Sequence, residues 1–168
     1  MNVQLTITIA GPDRPQLINQ LAAQSHELGG KWLVSKINRL DNQIVGLLKV
    51  DIPEASVAKL KEAFSRYPEL QPRVLQLPQP VPSVDLVPHK LKIEADDRAG
   101  IVNDITHILD DLGAEIVHIE NHRVGLPELG KTLFFAEMEI EAPRELNLEQ
   151  MQEALQQAEE QMRVHLIS

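Results

Sequence analysis

Asp97-Arg98-Ala99-Gly100-Ile101-Val102 is the stretch from which the rest of the chain can be read, because Asp13-Arg14-Pro15-Gln16-Leu17-Ile18 carries a matching pattern 84 residues earlier. At the same offset Leu21 falls on Ile105, Leu28-Gly29 on Leu112-Gly113, and Arg39 on Arg123, with no gap. A dipeptide repeated once is chance, but a register held for 26 residues with apolar positions at helical spacing points to two copies of one supersecondary unit.

Working outward from each doublet, the preceding segment alternates with period two: Val3, Leu5, Ile7 and Ile9 in the first copy, Leu91, Ile93 and Ala95 in the second. Such alternation predicts a strand buried on one side. After the turn, Leu17, Leu21 and Leu28, or Ile101, Ile105, Ile108 and Leu112, predict a helix that stops at Gly29 or Gly113. Glycine suits that stop because it accepts positive φ without a Cβ clash.

Trp32 to Leu40 and Ile44 to Ile52 predict a hairpin turning at Asp41-Asn42, residue types that favour tight turns. In the second copy Ile116 to Arg123 leads through a longer loop, Gly125 to Gly130, into a strand around Phe134, Ala136, Met138 and Ile140. Second helices are expected at Val57, Leu60 and Phe64, and at Met151, Leu155, Ala158 and Met162, the latter opened by a capping box from Asn147 to Gln150. Val74 to Leu77 and Val164 to Ile167 close the copies as fourth strands.

The resulting order is βαββαβ, twice. This gives an α+β fold of two ferredoxin-like modules, antiparallel sheets with the helices on one face. The expected boundaries are 1–77 for the first module, 78–88 for a linker and 89–168 for the second. Pro78, Pro80, Pro82 and Pro88 favour extended linker geometry of limited flexibility.

Composition narrows the function. Hydrophobic residues at 43% and charged residues at 24% support packed cores in both halves. No apolar run approaches the roughly 20 residues that span a bilayer, no basic leader precedes Val3, and cysteine is absent, so a cytoplasmic protein is expected. The net charge of −9 is uneven: residues 81–168 hold 18 Asp/Glu against 7 Lys/Arg, while residues 1–80 hold 7 against 9. An acidic second half opposes direct nucleic-acid binding, and 3% aromatics opposes base stacking of the RNA-recognition type.

No G-x-G-x-x-G, G-x-S-x-G or H-E-x-x-H motif occurs, and the letters G-x-x-x-x-G-K at Gly125 to Lys131 fall in the loop between two expected strands, not at the strand-to-helix turn where that pattern cradles phosphate. The chain is therefore read as non-enzymatic, with no catalytic residues and no cofactor. His118, Glu120 and His122 alternate on one strand face at a spacing open to metal ligation, but without cysteine a solvated or interface face is the reading adopted, and no metal is expected. Glu137, Glu139 and Glu141 share a face with Leu133 and Phe135. That mixture suggests a face partly covered by the other module or by a second chain, and is the hint of a homo-oligomer. Trp32 is assigned to core or interface packing.

Gly11-Pro12-Asp13-Arg14-Pro15 resembles the strand-to-helix turn of ACT domains, whose usual pattern is Asp-Arg-Pro-Gly followed by two aliphatics, and Asp97-Arg98-Ala99-Gly100-Ile101-Val102 resembles it more closely. Two such modules, a proline-rich connection and no catalytic domain resemble, over essentially the whole chain, the glycine cleavage system transcriptional repressors. The resemblance implies an amino-acid effector, glycine above all, and action through a transcriptional activator protein rather than on DNA.

It also implies ligand-binding residues at Asp13, Arg14, Asp97, Arg98, Ala99, Gly100 and Glu115, often assembled across a module interface, with the ligand ammonium facing Asp97. The physical basis is independent of it: free N–H groups and the positive dipole end at a helix start suit a carboxylate. Gln16 stands where the pattern has glycine, so the first site is expected to be closed or altered. The competing reading is that Asp13 and Asp97 cap helices and Arg14 and Arg98 are surface charges.

Overall fold

The computed structural model describes residues 1–78, 85–159 and 161–167. They fall into two compact units, Met1–Pro80 and Val81–Ser168.

In the first unit, strand β1 (Asn2–Pro12) is followed by helix α1 (Leu17–Glu27), the hairpin β2 (Lys31–Leu40) and β3 (Gln43–Pro53), helix α2 (Val57–Ser65) and the short strand β4 (Arg73–Leu75). The antiparallel sheet has the order β2-β3-β1-β4. Period-two alternation buries Leu5, Ile7 and Ile9 of β1 beneath Leu17 and Leu21 of α1 and Leu60 and Phe64 of α2. The buried Ser25 hydroxyl donates to the Leu21 carbonyl at 2.8 Å. Gly29 ends α1 at φ 81° as expected. Asp41 and Asn42 turn the hairpin at φ 49° and 64°, the left-handed pair that matches the twist of the flanking strands.

The second unit repeats this order with β5 (Leu86–Asp96), α3 (Ile101–Asp111), β6 (Glu115–Leu126), β7 (Lys131–Pro143), α4 (Leu148–Gln156) and β8 (Arg163–Ile167), arranged β6-β7-β5-β8. Its core joins Leu91, Ile93, Ile105, Leu109, Phe134, Met138, Met151 and Leu155. The strand pairings superpose at the same offsets: Ile9 faces Gly46 as Ile93 faces Ala136, and Lys36 faces Leu47 as Glu120 faces Glu137. Even the irregularities recur, since the outer strands β2 and β6 bulge between Trp32 and Val34 and between Ile116 and His118. Trp32 packs against the first core.

Several boundaries differ from expectation. Helix α4 stops at Gln156, so Ala158 and Met162 reach the core from the turn that follows it. The loop expected at Gly125 to Gly130 is tighter, because β6 continues to Leu126 and Leu126 pairs with Lys131 around a single 3-10 turn. Strand β4 lies at Arg73–Leu75, one residue earlier than expected at its start and ending before Leu77. Leu86, Val87 and Pro88, expected in the linker, pair with Pro143, Ala142 and Glu141 in β5; residues 79–84 of that linker lie outside the described residues. At Asn147 the side chain accepts from the Glu149 and Gln150 amides at 2.9 and 3.3 Å, the capping half of the expected box.

Candidate functional site

The turn between β5 and α3 is held to the β6–β7 hairpin end by the Asp97 amide, which donates to the Thr132 carbonyl at 2.9 Å; the Asp13 amide does the same to Asn42 at 2.9 Å. Gly100 then enters the helix at φ 80° and Gln16 at φ 63°. Neither helix start receives a side-chain cap. This rules against the capping reading of Asp13 and Asp97 and leaves the first-turn amides of α1 and α3 without a side-chain acceptor.

The Asp97 carboxylate instead accepts from Arg123 Nε at 2.8 Å, and Asp13 accepts from Arg39 Nε at 2.6 Å. Both arginines were visible in sequence only as matching positions; their role lay in the identical 26-residue separation from each aspartate. Arg123 also stacks its guanidinium over the Phe134 ring at 5.7 Å.

Arg98 turns away from the helix start. It donates to Glu159 and Asp104 at 2.6 Å each, to the Ala158 carbonyl at 3.1 Å and to the Ala99 carbonyl at 3.2 Å. The hydrogen bonds to Asp104 and then Glu159 hold its guanidinium pKa above the ordinary arginine value. Arg14 makes the looser equivalent, 3.4 Å from Gln20, 4.0 Å from Glu69 and 4.8 Å over the Tyr67 ring. In both units, then, the arginine of the doublet ties the first turn to the segment that follows the second helix.

A surface hollow beside Asp97 is lined by Asp96, Leu126, Pro127, Lys131 and Thr132, with Lys131 paired to Asp96 at 3.6 Å. Glu115 is elsewhere. It opens β6 opposite Glu141, whereas Asp96 lies opposite Leu133. Eight residues of β7 separate those positions, roughly 27 Å at the usual strand rise. Glu115 instead lines a second hollow with Asn103, Thr106, His107 and Asp110. Within one unit the structure therefore brings Asp97, Arg98, Ala99 and Gly100 together and leaves Glu115 at the far end of the sheet.

His118, Glu120 and His122 lie along β6 on the open sheet face, His122 being 3.8 Å from Glu120. Among the described residues no group of three or more His, Cys, Asp or Glu is arranged to hold a metal ion. No helix among them is long and apolar enough to cross a membrane.

The family model for the ACT domain matches residues 3–69, the span from β1 to the turn after α2. The first unit is an ACT domain. The second repeats its ferredoxin-like ACT fold strand for strand, so the chain is a tandem of ACT modules. A crystal structure of a protein of unknown function from Galdieria sulphuraria superposes with a TM-score of 0.88 at 22% identity, covering 99% of this chain and 98% of that one. A candidate glycine cleavage system transcriptional repressor superposes with a TM-score of 0.67 at 16% identity, covering 100% and 99%. At these identities the likeness is one of fold. No curated protein matches the sequence significantly. The ACT modules make the chain regulatory in architecture, with both β–α turns built on the same aspartate–arginine doublet.

Proposed function

We propose that the chain is a non-enzymatic, amino-acid-responsive repressor of the glycine cleavage system, which binds glycine and acts through a transcriptional activator protein rather than on DNA. The observation that carries the ligand reading is the start of α3: Gly100 at φ 80° leaves the helix amides without a side-chain cap, next to the Asp97 carboxylate. An α-amino acid presents a carboxylate and an ammonium a few ångströms apart, and these two features complement them. Ala99 and Gly100 supply backbone that a small ligand can approach closely. Asp13 and Arg14 form the corresponding turn of the first module, where Gln16 takes the place of Gly100. Glu115 joins the site only where a second module brings its strand start to this turn. The acidic second half and the activator partner belong to the same reading, set in the cytoplasm.

Calorimetric titration with glycine and a panel of other amino acids tests the ligand. Binding that is lost in Asp97→Ala supports the site; equal binding by parent and variant rejects it. For the partner, affinity capture from the native cell with and without glycine should recover a DNA-binding activator, and recovery of metabolic enzymes alone rejects repression.

A second reading, an ACT-type interaction module without a metabolite, is favoured by one observation: the charged side chains of each turn already have intramolecular partners, Arg123 on Asp97 and Glu159 on Arg98. It requires that no amino acid raise the thermal midpoint, because a ligand selective for the native state must do so.

A further inference from the structure

Each sheet has one face under its helices and one open face, and the two open faces differ in charge at matching positions. Where the first unit has Lys36, Leu47 and Lys49, the second has Glu120, Glu137 and Glu139, as the strand registers establish. Both keep an apolar centre. Val34, Val45 and Leu47 are about half exposed at 46%, 52% and 51% on the first face. Val124 is 43% exposed beside the half-buried Leu133 and Phe135 on the second. Lys90 and Lys92 partly offset Glu139 and Glu137, at 3.9 Å each, and Arg163 stands opposite Glu94, but Glu120 and Glu141 keep the second face acidic, while Lys36, Lys49 and Arg73 outnumber Asp51 on the first.

We infer that the open face of the first unit packs on the open face of the second unit of another copy, so that two copies close into a twofold dimer through two identical contacts. Pairing like with like is disfavoured, because it sets Lys36 and Lys49 against their own kind, or stacks the carboxylates of β7 against carboxylates. Pairing unlike faces matches charge and buries the apolar centres together. Area decides for two contacts over one. Three strands of ten or eleven residues and one of three, about 4.8 Å apart and rising about 3.4 Å per residue, give roughly 600 Å² for the first face. One contact is therefore below the approximately 800 Å² per partner of a stable interface, and two reach it. A heterologous contact that did not close would run on into open chains. This inference is independent of any ligand.

Sedimentation equilibrium of the full chain from low to high micromolar concentration provides the test. The expected result is a dimer whose affinity falls as salt rises. Leu47→Glu, at a solvent-exposed position that leaves each core intact, should weaken association roughly tenfold or more. Lys36→Glu should weaken it, and adding Glu120→Lys should restore it. Circular dichroism of each variant checks that folding is retained. A chain that stays monomeric throughout, including one whose open faces close within a single copy, overturns the inference. So do a dimer that Leu47→Glu leaves intact, a dimer indifferent to salt, and assemblies that grow without limit.

Discussion

Arg123 donates its Nε–H to the Asp97 carboxylate at 2.8 Å across 26 residues of chain, and Arg39 does the same for Asp13 at 2.6 Å across the same separation. The pair joins the first turn to the strand after the helix, so the aspartate is positioned by the sheet rather than by its own loop. Arg123 is 47% exposed and the Asp97 side chain 19%. The pair's contribution to stability is correspondingly small, about 0.5 kcal/mol, and its main effect is orientation.

This arrangement separates two variants that a simple charge count would confuse. Asp97→Ala removes the proposed partner of the ligand ammonium and should weaken glycine binding about tenfold or more, the scale of one charge-assisted hydrogen bond. Arg123→Ala keeps that carboxylate but removes the contact that orients it, so glycine should bind more weakly than to the parent, by less than in Asp97→Ala. Calorimetry on the two variants ranks the losses in that order if Asp97 faces the ammonium.

Gln16 and Gly100 occupy the same place at φ 63° and 80°, and only one of them is glycine. Left-handed backbone costs a side-chain-bearing residue about 1 kcal/mol, less what glycine loses through a more flexible unfolded chain. Gln16→Gly should stabilise by about 0.5 kcal/mol and Gly100→Gln destabilise by about 1 kcal/mol, read from urea midpoints. Steric conflict is not the reason at Gly100, since an added Cβ would meet nothing nearer than Arg98 at 3.9 Å.

At Gly11 the reason is steric. A Cβ there would overlap the Glu69 carbonyl oxygen and lie 3.0 Å from its carbon and 3.2 Å from the Leu70 Cα, all of it backbone. Gly11→Ala should cost about 2 kcal/mol or more, because β1 and the turn after α2 must separate. Thermal unfolding monitored at Trp32, in the same unit, should report it.

Arg98 binds the β5–α3 turn to the segment after α4 through Asp104 and Glu159. A cation whose folded-state pKa is raised contributes stability that is complete below its unfolded value and is lost only as pH rises past the folded one. The ordinary arginine value is far above neutrality, so this tie should hold unchanged from about pH 6 to 9. Arg98→Ala should increase amide exchange around Ala158 and Gln161 with little change in β5 or β7.

Most of the fold was legible because its signals are local. Alternation at Leu5, Ile7 and Ile9, helical spacing at Leu17 and Leu21, and stops at Gly29 and Gly113 each depend on residues within one or two turns. The first-turn doublets were legible by repetition. Contacts made across the fold were not. Glu159 lies 61 residues from Arg98, with nothing in the intervening sequence to mark the bond. Within its own unit Glu115 stands at the far end of β6 from Asp97, so the family pattern can join the two only across a module interface, which local spacing does not encode. Apolar spacing also overran the end of α4, because Ala158 and Met162 serve the same core from a turn as they would from a helix.

The bulges at Trp32–Val34 and Ile116–His118 sit in the margins of both sheets. A kinked margin interrupts the even ladder of amides and carbonyls that an incoming strand needs. The chain thereby resists lateral polymerisation through β2 and β6 at those points, and cross-β growth is discouraged where the duplicated modules would otherwise offer two similar templates.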